Sequence, residues 1–482
     1  MLYPDTGRRT KIVCTLGPAS ASESVMEQLL RAGMNIARLN FSHGSHEGHK
    51  EMIDRFRKVR DKLGLPAAIM LDTKGPEIRI CTFEKGSVEL QPGDSFTLTT
   101  RPVEGTKEMV SITFEDLPRQ LKKGDVVLLD DGRLSLEVTE TNETEIHTTV
   151  TEGGTLSNRK GINLPGIHID MEYLSEQDKS DLIFGTEMDV DYVAASFVRT
   201  ADDVIAVRKL LDYYGGKNIK IISKIENLEG IANFKEILAC SDGIMIARGD
   251  MGVEVEFEKL PGLQKKFIRS CCQQGKMVIT ATQMLESMIT NASPTRAEIT
   301  DVANAVFDGT SAIMLSGESA MGAHPVRAVE VMNRIARQAE QDALEMKLYR
   351  GIRYEMDAND TTNAICDATC TTAEDLQAKA IIAVTMGGQT AMRMAKFRPN
   401  VPIIAATPSA KTFHQLSLCW GVYPVLARLQ SDSEALFYHA VACAKQMDAV
   451  QDGDRVVITA GMPLNTAGTT NTLKVTVVGS GE

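Results

Sequence analysis

The run Ile219-Lys220-Ile221-Ile222-Ser223-Lys224-Ile225-Glu226-Asn227 decides the fold, and Gly243-Ile244-Met245-Ile246-Ala247-Arg248-Gly249-Asp250 answers it. Each begins with an apolar stretch that has hardly a polar break, the pattern of a strand covered on both faces. The interval between Glu226 and Asp250 fits one strand–helix–strand unit, which makes the two strands parallel neighbours. Charged residues set where a buried strand ends are costly unless they have work to do. Lys224 and Glu226 are two apart and lean to the same side of a strand. Neighbouring strands lie about 4.8 Å apart, so Glu226 and Asp250 can share one divalent cation with an ammonium beside it. That combination suits anionic oxygen chemistry on a phosphate or an enolate. The plainer reading is a strand-end salt bridge.

The same rhythm extends outward in both directions. Before this pair come Lys11–Leu16, Met34–Leu39 and Ala67–Leu71, then Tyr192–Ser196; after it come Met277–Ala281 and Ala312–Leu315. Ser22 is placed to start a helix after the first strand, and Gly33 to stop it. With Lys220–Ile225 and Gly243–Ala247 the count is three strands before a gap and five after it, the number of a TIM barrel. The gap, 76–173, is rich in Thr, Val, Glu and Gly, with turn signals at Gln91-Pro-Gly-Asp94 and Asp130-Asp-Gly132. Its short alternating runs predict a small β-barrel module inserted after the third barrel strand, placed to act as a lid. From about residue 350, strands at Ala380–Thr385, Pro402–Thr407, Val422–Leu426, Arg455–Ala460 and Leu473–Val478 alternate with helices. The chain therefore reads as an α/β protein: a barrel of 1–75 and 174–349, a lid of 76–173, and an open α/β sheet domain of 350–482.

With 43% hydrophobic and 24% charged residues, the composition is that of an ordinary globular protein. No apolar run reaches about 18 residues, so no membrane span is expected, and the N-terminus lacks a signal-peptide pattern. The expected location is the cytoplasm. The cysteines are scattered and mostly within apolar runs (Cys14, Cys240, Cys443), as reduced core thiols are. Cys366 and Cys370 lack further partners for zinc. A net charge of −12 argues against nucleic acid. It also means that a site for phosphorylated anions must carry its own positive charge.

Seven motifs then make a resemblance specific. They are Asn35-Ile-Ala-Arg-Leu-Asn-Phe-Ser-His-Gly44, Leu71-Asp-Thr-Lys-Gly-Pro-Glu-Ile-Arg79, Lys160-Gly-Ile-Asn-Leu-Pro-Gly166, Ser223–Asn227, Ala247–Asp250, Ala281-Thr-Gln-Met-Leu-Glu-Ser-Met288 and Leu315-Ser-Gly-Glu318. In this order, and over essentially the whole length, the chain resembles the pyruvate kinase family, of the bacterial type without the extra C-terminal domain. The resemblance implies transfer of a phosphoryl group from phosphoenolpyruvate to ADP, giving pyruvate and ATP through a pyruvate enolate. It implies Mg²⁺ or Mn²⁺ held by Glu226 and Asp250, and K⁺ held by Asn40, Ser42, Asp72 and Thr73. Glu77 is the residue type of potassium-dependent members.

Arg38 presents a planar fork suited to phosphate, and the resemblance gives it the phosphate of phosphoenolpyruvate. Lys224 is expected to offset charge on the transferring group and the enolate. Backbone N–H groups at Gly249 and Asp250 are expected to hold the substrate carboxylate. Thr282 resembles the family's substrate-contacting threonine, acting through a relayed water. Ser316 and Glu318 either join that relay or serve as a cap and a structural carboxylate. Arg79 and Lys160, at the two roots of the lid, resemble nucleotide-phosphate contacts, with His43 and Asn40 nearby.

In the C-terminal part, Thr385, Gly387, Gly388, Gln389 and Thr390 resemble the effector loop of allosteric members, together with Ala460–Thr470. Many members regulated by sugar phosphates carry a cation where Gln389 stands. A sugar phosphate, a nucleotide monophosphate or a silent site remain open. The resemblance also implies a homotetramer. Two other classes compete. One is a metal-dependent lyase or aldolase making a pyruvate enolate, which needs neither Arg79 nor Lys160. The other is a non-catalytic sensor, which needs none of Lys224, Glu226 and Asp250.

Overall fold

The computed structural model describes residues 7–349, 359–464 and 470–479. Eight parallel strands close into a barrel in the order Lys11–Thr15, Ala312–Leu315, Met277–Ala281, Gly243–Ala247, Lys220–Ile225, Tyr192–Ala195, Ala68–Asp72 and Ile36–Asn40. They are the eight strands read from the apolar runs. The strand pair that opened the reading is indeed adjacent and parallel, with Lys224 opposite Met245 and Ile225 opposite Ile246. Alternate side chains divide the apolar surface. Ile221, Ile225, Ile244 and Ile246 face the surrounding helices. Val13, Met70, Ile222, Met245 and Ile279 fill the barrel interior.

Local signals set the element ends. Ser22 Oγ accepts the Val25 N–H at the start of helix Glu23–Ala32, and Gly33, at φ +118°, closes it with N–H bonds to Leu29 and Leu30. The same interior core runs on through Met277 into Leu416, Leu418 and Cys419, so the barrel floor packs on the C-terminal part of the chain. This leaves the other end, where the strands' C-termini gather, for the site.

Between the third and fourth barrel strands lies a seven-stranded sheet. Its order is Ile78–Arg79, Gly161–Asn163, Val126–Leu129, Leu134–Thr141, Glu145–Glu152, Ser95–Thr99, Met109–Ser111. The bridge from Ile80 to Ile112 ties its two edges, so the sheet curls almost into a barrel. Its interior is separate, built on Leu90, Phe96, Leu98, Leu136 and Ile146. The chain enters and leaves it through the neighbouring strands that carry Arg79 and Gly161.

The C-terminal strands form a five-stranded sheet in the order Val422–Leu426, Ile403–Thr407, Ala380–Val384, Arg455–Gly461, Thr470–Val477, the last antiparallel. The helix that follows Ala380–Val384 spans Gln389–Lys396. Cys240 corrects the reading of the thiols: it is exposed at the end of helix Phe234–Cys240, whereas Cys14 and Cys443 are buried. No helix among the described residues is long and apolar enough to cross a membrane.

Candidate active site

Four charged side chains meet where the second, third and fifth barrel strands end. Lys224 Nζ lies 3.1 Å from Asp72 Oδ1 and 3.0 Å from Glu226 Oε1. Arg38 Nε donates to Asp72 Oδ2 at 2.6 Å, and an Arg38 Nη donates to Thr15 Oγ1 at 2.8 Å. Asp72 is fully buried and Glu226 is 1% exposed, so this is a low-dielectric cluster in which the charges must balance.

The environment splits the two acids. Burial pushes the Asp72 carboxyl up, but Arg38 and Lys224 outweigh it and hold it below its ordinary value. Burial carries Glu226 up to about 7, against the pull of Lys224 and with a further push from Asp250. Burial opposes the Lys224 charge, yet Asp72 and Glu226 hold the ammonium above its ordinary value.

Glu226 is oriented by the chain itself: the Phe197 N–H donates to its Oε2 at 2.6 Å, which leaves Oε1 toward Lys224. Phe197 takes this position at φ +53°. Thr282 and Gln283, after the seventh strand, are also left-handed, at φ +67° and +55°. Non-glycine residues held this way are strained, and such strain gathers at functional sites. Arg248 supports that bend, donating to the Thr282 carbonyl at 2.7 Å while pairing with Asp301 at 2.7 Å.

The carboxylates suit a divalent cation. Asp250 raises the proton affinity of Glu226, which is the mark of a carboxylate that gains from a shared positive charge. Two protein carboxylates suffice for a hard cation that keeps water and substrate oxygens. Asn40 and Asp72 are register partners on adjoining strands, with Thr73 next in the chain. Ser42 follows close on Asn40, and its N–H donates to Asn40 Oδ1 at 3.2 Å. Because Asp72 already faces Arg38 and Lys224, this second oxygen set suits a monovalent ion better than a divalent one.

Other candidates arrive with partners. The Gly249 N–H is taken by Thr282 Oγ1 at 2.7 Å, so the free backbone donor expected there is already engaged. Glu318 accepts the N–H groups of Ser316 at 2.7 Å and Leu285 at 3.1 Å, which is the structural role. Ser316 stands at the cap position of helix Gly317–Ala320, yet its side chain makes no capping bond.

Arg79 holds Glu77 with both ends of its fork, at 2.8 and 2.7 Å, so Glu77 serves a lid cation directly. Lys160 Nζ pairs with Asp130 at 2.6 Å. His43 is exposed, and its carbonyl lies 2.8 Å from His49 Nε2. A cleft of about 440 Å³ opens between lid and barrel, lined by Glu77, Gly161, Asn163, Phe197 and Asp250 among others.

Sequence reasoning missed Ser196 and Thr15, which touch Lys224 and Arg38. Each sits at the end of a barrel strand, and that position was the available signal.

In the C-terminal sheet, Thr385, Gly387, Gln389 and Thr390 line one cavity of about 120 Å³ with Arg428 and His439. The Gly388 N–H donates to Thr385 Oγ1 at 3.0 Å, and Thr390 Oγ1 meets Thr470 Oγ1 at 2.7 Å. Residues 465–469 of the proposed effector segment lie outside the described residues.

Residues 7–329 match the family described as pyruvate kinase, barrel domain, and residues 363–476 match pyruvate kinase, alpha/beta domain. The chain is 48% identical over 474 residues to the protein named pyruvate kinase in Staphylococcus haemolyticus strain JCSC1435, covering 98% of this chain and 81% of that protein. The same figures describe its similarity to the proteins so named in Sporosarcina psychrophila and in Staphylococcus aureus strain MRSA252.

Proposed function

The chain belongs to the pyruvate kinase family and is a phosphotransferase, and from that premise we infer how its residues move a phosphoryl group from phosphoenolpyruvate to ADP. The observation that carries the reading is Lys224, buried between Asp72 and Glu226 beside the Arg38 fork. Arg38 binds the phosphoryl group of phosphoenolpyruvate bidentately and fixes its direction. Lys224 faces the oxygen atoms on which charge grows as the bond to the enolate oxygen breaks. Mg²⁺ on Glu226 and Asp250, and K⁺ on Asn40, Ser42, Asp72 and Thr73, supply further positive charge when bound.

Arg79 and Lys160 hold the nucleotide phosphates as the lid comes down, with His43 and Asn40 at the edge, and both exchange a carboxylate partner for phosphate oxygens. The lid keeps water from competing with ADP for the phosphoryl group. Thr282, held by Gly249 and Arg248, orders the water that protonates the enolate carbon to give pyruvate.

The divisions that go with this reading are the barrel of 1–75 and 174–349, the lid of 76–173 and the effector part of 350–482. A homotetramer in the cytoplasm accompanies it, as does regulation by a phosphorylated metabolite at Thr385, Gly387, Gly388, Gln389 and Thr390. Arg428 supplies a cation to that cavity where Gln389 does not.

Pyruvate formation from phosphoenolpyruvate, with ADP, Mg²⁺ and K⁺ omitted in turn, tests the reading. Dependence on all three supports it. Pyruvate formed without ADP points to a lyase or phosphatase instead.

A further inference from the structure

Ser196 stands one residue past the fourth barrel strand and is 1% exposed. Its hydroxyl lies 2.7 Å from Lys224 Nζ, 2.6 Å from the Thr73 carbonyl and 3.1 Å from Asp72 Oδ1. A serine hydroxyl has one proton and two lone pairs, and an ammonium can only donate. Lys224 therefore donates to Ser196, and the Ser196 proton has two claimants, the Thr73 carbonyl and the Asp72 carboxylate. Both claimants belong to the oxygen set suited to a monovalent cation. The hydroxyl thus joins that set to the ammonium through a single atom, beside the direct contact of Lys224 Nζ with Asp72 Oδ1 at 3.1 Å.

Its seat is built for the purpose. The Ser196 N–H donates to Thr73 Oγ1 at 3.1 Å, and its carbonyl accepts the Tyr173 hydroxyl at 2.9 Å. Gly75, at φ +75°, packs so closely that a Cβ there would come within 2.9 Å of the Ser196 Cβ and carbonyl oxygen. With the main chain fixed on three sides, the remaining freedom is the direction of the hydroxyl proton.

We propose that Ser196 is a positioning residue for phosphoryl transfer, aiming Lys224 and relaying to it the state of the Asp72 and Thr73 oxygens. The inference rests on the transfer reading above. A cation drawing on either oxygen turns the Ser196 proton to the other and resets the field at Lys224 without touching it.

The test uses the full chain, as wild type, Ser196→Ala and Ser196→Cys. The cysteine keeps the volume and loses the strong hydrogen bonds. Turnover and KM for ADP are measured across K⁺ concentrations, and melting temperature is read with and without K⁺. Both variants are expected to lose turnover about a hundredfold while KM for ADP stays within about twofold, the pattern of a misaimed group rather than a lost binding contact. The rise in melting temperature with K⁺ persists, because the cation still binds, while the activation of turnover by K⁺ collapses. Turnover within about threefold of wild type in either variant overturns the proposal. So does full K⁺ activation, or loss of the K⁺ melting shift, which would make Ser196 only part of the cation's seat. A wild type that forms no pyruvate overturns both this proposal and the reading beneath it. An active wild type with unaffected variants overturns this proposal alone.

Discussion

Replacing Lys224 by Met separates catalysis from folding, because the structure predicts a large effect on one and a small effect on the other. Loss of one preorganised charge at a developing anion costs about a thousandfold in turnover, or about 4 kcal/mol of barrier. Removing one member of a buried ion pair ordinarily destabilises by about 3–5 kcal/mol through the charge left behind. Here the remaining charges have other outlets. Asp72 keeps Arg38 at 2.6 Å. Glu226, already carried from 4.5 up to about 7, can take a proton.

The sign follows from linkage. Between the ordinary value and the folded value of a raised carboxyl, the fold holds the extra proton, so stability falls by about 1.36 kcal/mol per pH unit. In the wild type that slope ends near 7; without Lys224 it continues to higher pH. The two proteins are therefore expected to differ by about half a kcal/mol at pH 7 and by about 2 kcal/mol at pH 8.5. Turnover is read by coupling pyruvate to lactate dehydrogenase, and stability by urea unfolding at both pH values. Turnover within tenfold of wild type refutes the role of Lys224. A stability gap that does not widen with pH refutes the account of Glu226.

Three further outcomes are expected. With saturating substrates in a tetramethylammonium buffer free of Na⁺ and K⁺, turnover falls by about a hundredfold and returns on adding K⁺, as steady-state rates will report. Arg79→Ala raises KM for ADP about tenfold, or about 1.4 kcal/mol, and leaves KM for phosphoenolpyruvate nearly unchanged, a split visible in initial rates with each substrate varied. Burial holds His414 down, at about 4 against an ordinary 6.5, so the fold excludes a proton that the unfolded chain accepts. Stability from this residue is complete above 6.5 and is lost as pH falls toward 4. For this partly exposed group the loss is about 1–3 kcal/mol, and urea unfolding of His414→Gln should show it removed.

The barrel was legible because its strands are buried on both faces and so read as unbroken apolar runs. The lid was legible as the interval where that rhythm stops. Glu226 and Lys224 stood out because charge at the end of such a run is costly. The pairings were not legible. Nothing in Gly-Pro-Glu-Ile-Arg shows that Glu77 grips Arg79, because the fork geometry depends on a two-residue edge strand. The donor at Gly249 looked free until the left-handed turn at Thr282 brought a hydroxyl to it. Ser196 was hidden for a plainer reason. A lone serine after Val-Ala-Ala has many uses, and its neighbours Thr73, Asp72 and Lys224 come from other strands.

On the proposed mechanism, one site built on Arg38, Lys224, Glu226 and Asp250 passes a phosphoryl group directly between two bound substrates. A single turnover with excess protein and ³²P-labelled phosphoenolpyruvate, in the presence of ADP, Mg²⁺ and K⁺, follows that transfer step itself. The label is expected in ATP, with none as inorganic phosphate, and Glu226→Gln is expected to hold it in phosphoenolpyruvate. Label released as inorganic phosphate, or transferred as fast by Glu226→Gln as by wild type, would contradict that mechanism.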